Sequence, residues 1–332
     1  MTEINTCAIL NQPLNIYKSK TIDEKCWKEL SDEEKKLREK HFLQGPKTDL
    51  VRFDNGFLFK RRLALNIENI QNFSFRADDI LIMSHPKTGS TWAQETVWLM
   101  INDLDIAKSK NINKRLRTPS IEKIYDKNFG EQFFENMEGR RVIKCHIPFA
   151  LLPDNILERC KVIYMVRNPK DTAVSFYHHL KRKGHFKGEF CNFAKIFQAE
   201  LLQYSYWNHL HSAWTRRNHK NLKLIWYEDM KADTAAAIEE LGEFLQHQIS
   251  SEQKRLLCEY VMFDNMKKNE NAYNNKGINN NNQENHFMRK GIVGDWKNHF
   301  DATTNREFNQ WILDKVSGSG MDELNIFKQI LL

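Results

Sequence analysis

A short turn with a lysine, a glycine and several hydroxyl side chains could hold a phosphate group. It lies within SHPKTGSTW, residues 84–92, directly after the apolar run DILIM. Glycine lets a backbone approach an anion closely, and amides at the start of a helix favour negative charge. The lysine precedes the glycine, which reverses the order of the common nucleotide-binding loop. The candidate phosphate ligands are Lys87, Thr88, Gly89, Ser90 and Thr91, with Trp92 as a flat surface for a purine.

A histidine at the end of a second apolar run is a candidate general base. In RVIKCHIP, residues 141–148, strand alternation places Lys144 and His146 on one face and Cys145 on the other. Histidine changes its charge near neutral pH, which suits proton transfer. A structural histidine in the core or at the surface is the alternative. The alternation also argues against a nucleophilic pair between Cys145 and the adjacent histidine.

Two further apolar runs end in residues that could bind a nucleotide. KVIYMVRNP reaches Arg167, and LKLIWYEDM is read as a strand that supplies Tyr227. Arginine binds phosphate through parallel hydrogen bonds, although it also forms ordinary ion pairs. Ser175 lies in the helix that follows Arg167, and we place the start of that helix at Asp171.

Four strand-like runs alternate with helix-like segments along the chain. The runs are residues 79–84, 141–148, 161–169 and 222–230. Such alternation predicts an α/β fold, a single domain with a central parallel sheet flanked by helices. The candidate ligands then meet beyond the carboxyl ends of the strands. We expect residues 1–50 to form an N-terminal extension and residues 51–332 to form the domain itself.

Composition and charge exclude few classes of function. The 332 residues carry 50 Lys and Arg against 43 Asp and Glu, a net charge of +7 that suits nucleic acid, an anionic cofactor or solubility alone. No apolar stretch reaches the ~20 residues of a membrane span, and the first residues lack the order of a secretory signal. The six cysteines are scattered, and His178-His179 and His209-x-His211 lack the spacing of metal ligands. We therefore expect a cytoplasmic chain with free thiols and without metal or membrane segment.

The motifs, taken in order, resemble those of the cytosolic sulfotransferases. They are HPKTGSTW, KCHIP, VRNPKDTAVSFYHH, WYEDM and FMRKGIVGDWKNHF, and the resemblance runs from about Phe75 to about Phe300. It implies a P-loop-like turn that holds the 5′-phosphosulfate of 3′-phosphoadenosine 5′-phosphosulfate (PAPS). It also implies sulfonate transfer to a hydroxyl of a small hydrophobic acceptor (a phenol, a steroid or another alcohol), with no metal, nucleic acid or membrane as partner.

The resemblance assigns roles to individual residues. The segment from Lys87 to Trp92 would grip the 5′-phosphate, with Trp92 on the adenine and Lys87 beside the leaving oxygen. His146 matches the catalytic base, and Lys144 flanks the acceptor and the sulfonate. The 3′-phosphate would bind Arg167, Ser175, Arg289, Lys290 and Gly291. The remaining cofactor contacts would be Tyr227, Phe263, Met266, Phe287 and Met288.

Two features depart from the family pattern near the cofactor. Val261 and Met262 replace a Thr-Ser pair before Phe263, so two adenine-side hydroxyls are missing. An Asn-rich insert, residues 275–287, precedes the basic segment and could reshape the entrance for the acceptor. A PAPS-binding relative without turnover and an atypical P-loop kinase are therefore kept as alternatives.

The family's dimer motif is also altered. The pattern K-x-x-x-T-V-x-x-x-E would start at Lys297, but Asp301, Ala302 and Arg306 occupy its other places. A homodimer would have to form through a degraded motif. The sequence does not identify the acceptor, because the loops that shape its pocket carry no recognisable pattern.

Overall fold

The structure, a computed structural model, describes residues 27–43, 49–54, 56–269 and 288–322, together with Leu324 and Phe327. Phe287 and the Asn-rich insert, which the sequence analysis singled out, lie outside the described residues. The chain divides into two compact units. The first unit comprises residues 1–67, 168–211 and 294–332, and the second comprises residues 68–167 and 212–293.

The described part of the first unit contains a small antiparallel sheet. Its strands are β1 (Trp27–Glu29), β2 (Leu50–Phe53) and β3 (Leu58–Lys60), in the order β1-β2-β3. These strands are not predicted from the sequence, because three or four residues are too few to show an alternating pattern. Strand β1 belongs to the predicted N-terminal extension. The described part of that extension therefore shares a sheet with the first residues of the predicted domain.

Helices supply much of the rest of the first unit. They are Asp32–Glu39, Arg61–Ala64, Pro169–Arg182, Phe190–Gln198 and Ala302–Val316, with a 3₁₀ turn at Asp295–Asn298. Aromatic rings hold two of these helices together, since the ring centroid of Phe197 lies 5.9 Å from that of Phe308 and 5.8 Å from that of Trp311. Such rings bury large apolar areas and dominate the packing energy.

The helix Pro169–Arg182 begins before Asp171, so its predicted start is wrong. Asn168 caps the helix by accepting a hydrogen bond from the Lys170 amide, and proline suits the first helical position because it has no N–H to satisfy. Asp171 has another role. Its carboxylate accepts hydrogen bonds from the amides of Gly294 at 2.7 Å and Trp296 at 3.0 Å, which joins the NPKD and GDWKN motifs.

The second unit is built on a parallel sheet. Its strands are β4 (Ile80–Ser84), β5 (Val142–Cys145), β6 (Lys161–Val166) and β7 (Leu222–Trp226), in the order β5-β4-β6-β7. Every neighbouring pair is parallel, which confirms the predicted fold class. In the register, Met83 pairs with Cys145 and Ser84 pairs with Met165. The carboxyl ends of β4, β5 and β6 therefore lie side by side, as a ligand site at this edge requires.

Helices flank this sheet in the second unit. They are Ser90–Ile101, Ile106–Asn111, Lys114–Arg117, Glu131–Glu135, Ile156–Arg159, Tyr227–Ala232, Thr234–Leu245, Ser251–Val261 and Phe263–Lys268, with 3₁₀ turns at Ile121–Lys123 and Phe149–Leu151. Two more helices, Ile67–Gln71 and Tyr206–Trp214, carry the chain from one unit to the other. The helix Ser90–Ile101 packs on β4 and β5, and residues on all of its sides are buried. Within the described residues, no helix has the length and apolar character needed to cross a membrane.

Candidate active site

The turn between β4 and the helix Ser90–Ile101 has the backbone of an anion-binding loop. Gly89 is the N-cap of the helix with φ of 103°, and Lys87 has φ of 76° although it is not a glycine. Left-handed residues at a helix start turn successive amides toward one point, where an anion can bind. The Thr88 hydroxyl donates to the carbonyl of His85 at 2.8 Å. In this structure that hydroxyl closes the turn.

The end of β7 packs directly against this turn. A Cβ atom on Gly89 would lie 2.8 Å from Cδ2 of Tyr227, so only glycine fits here without displacing the ring. The rings of Trp92 and Tyr227 meet edge to face, with centroids 5.5 Å apart. Tyr227 is the first residue of the helix Tyr227–Ala232 rather than part of β7, which corrects the predicted strand by a few residues.

Arg167, one residue beyond β6, connects three parts of the second unit. Its Nη1 donates to the Lys87 carbonyl at 3.3 Å, and its Nη2 donates to the Ile292 carbonyl at 3.4 Å. The guanidinium lies 4.3 Å from the centroid of the Tyr227 ring, a cation–π contact. The predicted phosphate ligand therefore joins the turn, Tyr227 and the basic segment that precedes Ile292.

That basic segment rests on Phe263. A Cβ atom on Gly291 would lie 2.1 Å from Cδ2 of the Phe263 ring, and Gly291 has φ of 65°. Val261 belongs to the core and Met262 is 58% exposed. The retained Phe263 thus lies against the backbone of the segment at Gly291.

The remaining predicted cofactor residues differ in how far they are buried and in which of the two units they lie. Met266 is fully buried in the core of the second unit, and Met288 packs against the same core. Arg289 is half-buried and Lys290 is exposed. Ser175 lies in the helix Pro169–Arg182 of the first unit and is half-buried.

The hydrogen bonds of His146 define its tautomer. Its Nδ1 lies 2.7 Å from the carbonyl oxygen of Ser84, the last residue of β4. A carbonyl oxygen can only accept, so Nδ1 carries a proton, and in the neutral ring Nε2 is then the nitrogen with the lone pair. The ring of this predicted base is therefore held, through Nδ1, by the residue from which the turn starts.

A buried glutamate holds the backbone of this histidine. The His146 amide donates to the carboxylate of Glu122, which also accepts from the Ser120 hydroxyl, and Glu122 is 8% exposed. The Lys144 amide donates to the Pro119 carbonyl at 2.8 Å. Burial lowers the pKa of the Lys144 ammonium, and the nearby Glu122 carboxylate opposes that shift. The segment from Pro119 to Glu122 thus lies along the end of β5 and positions both predicted catalytic side chains.

Comparison with known proteins identifies the family. The sequence profile of the sulfotransferase domain matches residues 77–320, which include parts of both units. The chain belongs to the sulfotransferase family. It is 34% identical over 263 residues to sulfotransferase 1E1 of Homo sapiens, covering 77% of this chain and 90% of that one. It is 31% identical over 286 residues to luciferin sulfotransferase of Photinus pyralis, covering 76% and 75%.

The likeness extends to solved structures. Retinol dehydratase in complex with androsterone and the inactive cofactor PAP is similar with a TM-score of 0.79 at 27% identity, covering 88% of this chain and 96% of that one. The family assignment and the α/β fold predicted from the motifs are therefore confirmed. In the described part of this sulfotransferase, no three His, Cys, Asp or Glu side chains group closely enough to hold a metal ion.

Sequence reasoning missed the residues that orient His146, the predicted base. Ser84 acts through its carbonyl and Glu122 through a contact with a residue 24 positions away, and neither has a local pattern. The sequence does carry a signal for buried polar contacts in another element, the helix Ser90–Ile101. Gln94 and Glu95 interrupt the apolar run of the helix Ser90–Ile101, and Glu95 forms a buried ion pair with Arg117 at 2.9 Å. Adjacent polar residues inside an apolar helix indicate buried partners.

Proposed function

We propose that this sulfotransferase moves the sulfonate group of PAPS to a hydroxyl of a small hydrophobic acceptor, with His146 as the general base. The observation that carries the proposal is the hydrogen bond from His146 Nδ1 to the Ser84 carbonyl at 2.7 Å. In the neutral ring this bond leaves Nε2 as the nitrogen that can accept a proton, and it ties the ring to the start of the turn that would hold the anion. A base and an anion site joined in this way suit in-line group transfer.

The residues of the second unit fit a nucleotide with two separate anionic groups. The turn offers its helix-start amides and the Lys87 side chain for the 5′-phosphosulfate, and glycine at position 89 lets an anion approach the backbone. Arg167, Arg289 and Lys290 supply positive charge for the 3′-phosphate. The rings of Trp92, Tyr227 and Phe263 offer an apolar side for the adenine.

Individual residues of the chain would then have separate roles in sulfonate transfer. When bound, PAPS supplies the sulfonate group and a phosphate leaving group. His146 accepts the proton of the acceptor hydroxyl at Nε2, while Nδ1 keeps its own proton and donates it in a hydrogen bond to the Ser84 carbonyl. The Lys87 ammonium offers positive charge where the negative charge of the turn's anion grows. Lys144 positions the acceptor beside the base.

The acceptor class is proposed from similar proteins. The crystallised retinol dehydratase complexes contain retinol or androsterone, and the firefly relative is named for luciferin. Retinol and androsterone are hydrophobic alcohols. We therefore propose a hydrophobic alcohol or phenol as the acceptor, and a cytoplasmic site of action.

Calorimetric titration with adenosine 3′,5′-bisphosphate (PAP), without added metal, tests the donor site. We expect micromolar or tighter binding that discriminates against ADP, because ADP lacks the 3′-phosphate. Arg167→Met should weaken the binding of PAP. If folded protein fails to bind PAP, the proposal is wrong.

Transfer of labelled sulfonate from PAPS to para-nitrophenol tests the base. His146→Ala should lower kcat by about 10²–10⁴ with PAP affinity retained, as general-base catalysis predicts. The control His247→Ala changes a histidine after the helix Thr234–Leu245 and should leave the rate unchanged. Binding of PAP without transfer to any of a panel of hydrophobic alcohols and phenols would instead identify a relative that has lost turnover.

A further inference from the structure

A group of hydrogen-bond donors lies beside the phosphate turn in the second unit. Gln94 is fully buried, and its carboxamide oxygen accepts from Lys114 Nζ at 2.9 Å and from Thr118 Oγ1 at 3.0 Å. Within the described residues, neither Gln94 Nε2 nor Nη1 of the buried Arg117 has a hydrogen-bond partner. Buried donors in folded proteins are normally paired. The described residues therefore supply no hydrogen-bond acceptor for these two donor atoms.

The chain segment that carries Lys114 and Arg117 continues along the end of β5. Three residues on from Arg117, Ser120 forms a parallel bridge with Lys144, two residues before the proposed base His146. The side chains of Lys114 and Lys144 are both half-buried, and their charges interact. The donors are thus placed next to the strand end at which the acceptor hydroxyl would react.

Positive charge is in excess at this point. Lys114 faces Lys144 on β5 and Glu95 on the helix Ser90–Ile101, with Arg115 and Arg117 on its own short helix. Glu95 is engaged by Arg117 through both carboxylate oxygens, at 2.9 and 3.2 Å. In the described part of the chain, no carboxylate forms a salt bridge with Lys114 or Lys144, and the Glu122 carboxylate acts on Lys144 only at longer range. Two half-buried ammonium groups of like charge are stabilised when an anion lies between them.

We propose that Lys114, Gln94 and Lys144 form a subsite for an anionic group of the acceptor, so that the preferred acceptor is an alcohol or phenol that also carries a carboxylate. The proposal rests on the proposed function and adds the substrate class. Lys114 contributes a charge-assisted hydrogen bond and Gln94 Nε2 a second donor. Lys144 contributes positive charge from β5, two residues before the proposed base His146.

The subsite should depend on pH. Burial, followed by the charge of Lys144, lowers the pKa of Lys114 to about 7. The ammonium is therefore charged below about pH 7 and neutral above it, so an anionic acceptor should bind less well as the pH rises through this value. Binding near neutral pH should also take up a proton, because the anion favours the charged amine.

Matched acceptors and variants separate this subsite from the donor site. The acceptors are a phenol with a para propanoate side chain and the same phenol with a propanamide side chain, which differ in charge and little in shape. The variants are Lys114→Met, Lys114→Arg and the control Lys108→Met, which changes an exposed lysine on the neighbouring helix Ile106–Asn111. Kd for PAP is measured for each protein, and KM for each acceptor is measured from pH 6 to about pH 8.5.

We expect wild-type protein and Lys108→Met to show a KM about tenfold lower for the propanoate than for the propanamide at low pH, the effect of one charge-assisted hydrogen bond. This preference should fade above pH 7 in the wild type and persist in Lys114→Arg. It should vanish in Lys114→Met with PAP affinity unchanged.

Other outcomes overturn the proposal. A wild-type enzyme that does not prefer the propanoate contradicts the subsite, as does a preference that survives in Lys114→Met. Weaker PAP binding in Lys114→Met would show instead that the positive charge of Lys114 serves the binding of the sulfonate donor. If neither acceptor reacts, calorimetry on the PAP complex decides, and failure of the propanoate to bind counts against the subsite. Turnover of para-nitrophenol separately tests the proposed function.

Discussion

At the residue scale, one hydrogen bond determines which nitrogen of His146 can accept a proton. The Ser84 carbonyl fixes the proton on Nδ1, and Glu122 holds the backbone amide of the same residue. The turn that starts at Ser84 contains Lys87 in a left-handed conformation, which non-glycine residues adopt at a free-energy cost of roughly 1 kcal/mol. Such strain in an anion-binding turn agrees with a functional demand on the position of Lys87.

Gly89→Ala tests how closely the turn and Tyr227 are packed. Alanine at this position meets both a left-handed backbone, with φ of 103°, and the Tyr227 ring at 2.8 Å. Gly184→Ala is the matched control, because Gly184 is also left-handed but has no atom within 4 Å of an added Cβ. We expect the control to lose about 1 kcal/mol of unfolding free energy, and Gly89→Ala to lose about 2–3 kcal/mol together with at least tenfold PAP affinity.

Urea unfolding and calorimetry measure the two effects. Equal losses of stability in the two variants, with PAP affinity intact, would contradict the close approach of Tyr227 to the turn.

Cysteine reactivity tests the surroundings of His146, the proposed base. Cys145 precedes His146 in sequence but is fully buried, and burial raises the pKa of its thiol well above the usual value. Because the thiolate is the reactive form, Cys145 should resist iodoacetamide in the native protein at about pH 8, while the exposed Cys191 reacts. Peptide mass spectrometry distinguishes the two sites. Labelling of Cys145 as fast as Cys191 would show that the strand end opens in solution.

At the element scale, the two signature motifs of the first unit are joined by one carboxylate. Asp171 is 1% exposed and satisfies the amides of Gly294 and Trp296, and Lys170 lies 4.0 Å from the Trp296 ring. A helix and a loop far apart in sequence thus depend on a side chain that sequence reasoning assigned to helix capping.

Asp171→Ala should therefore destabilise the first unit. Removing the carboxylate leaves two amides without their acceptor, which costs about 2–3 kcal/mol of unfolding free energy. Asp233→Ala is the control, since Asp233 is an exposed N-cap that accepts one amide, and its loss should cost about 1 kcal/mol. Urea denaturation compares the two variants. A loss in Asp171→Ala no greater than in the control would contradict the bridging role.

How far the sequence predicts an element depends on its length and on where its partners lie. Strands β4 to β7 were found within a few residues, because buried parallel strands are continuous apolar runs with polar residues after them. Strands β1 to β3 were missed, since each is short and the pairing of Trp27 with Phe53 is non-local. The same limit applies to the site. His146 and Arg167 stand in motifs, whereas Glu122, Gln94 and Lys114 reach their partners only through the fold.

At the scale of the whole molecule, a buried ion pair joins distant parts of the second unit. Arg141 donates to Asp79 at 2.6 Å and to the carbonyls of Phe134 and Ser74, and both charged side chains are at most 1% exposed. Removing one partner of such a pair leaves an uncompensated charge without water. The pair precedes β4 and β5, the strands that lead to the turn and to His146.

Arg141→Met should cost about 3–5 kcal/mol of unfolding free energy, because Asp79 remains buried without its partner. The control is Arg61→Met, which removes a partly exposed cation paired with Glu29 and Asp49 and should cost less than about 1 kcal/mol. Thermal and urea unfolding provide the measurement. A small loss in Arg141→Met would mean that Asp79 gains water or a proton at little cost.

The altered dimer motif bears on the assembly of the chain. A two-fold contact brings identical segments together, so like charges within one segment oppose each other. Here the segment from Lys297 to Arg306 carries cations at both ends, and the carboxylate of Asp301 caps the helix Ala302–Val316 by accepting the Thr304 amide at 2.7 Å. The motif's Thr, Val and Glu are replaced by Asp301, Ala302 and Arg306.

We therefore expect a monomer of 39.5 kDa in sedimentation velocity at micromolar concentration. The triple variant Asp301→Thr, Ala302→Val and Arg306→Glu restores the motif with an acid that can pair with a cation of the second copy, and it should dimerise. Threonine also caps helices, so the helix Ala302–Val316 should persist in the variant. A wild-type dimer would show that another surface associates, since this segment presents mainly positive charge to its own copy. A monomeric triple variant would show that the motif needs support from residues outside it.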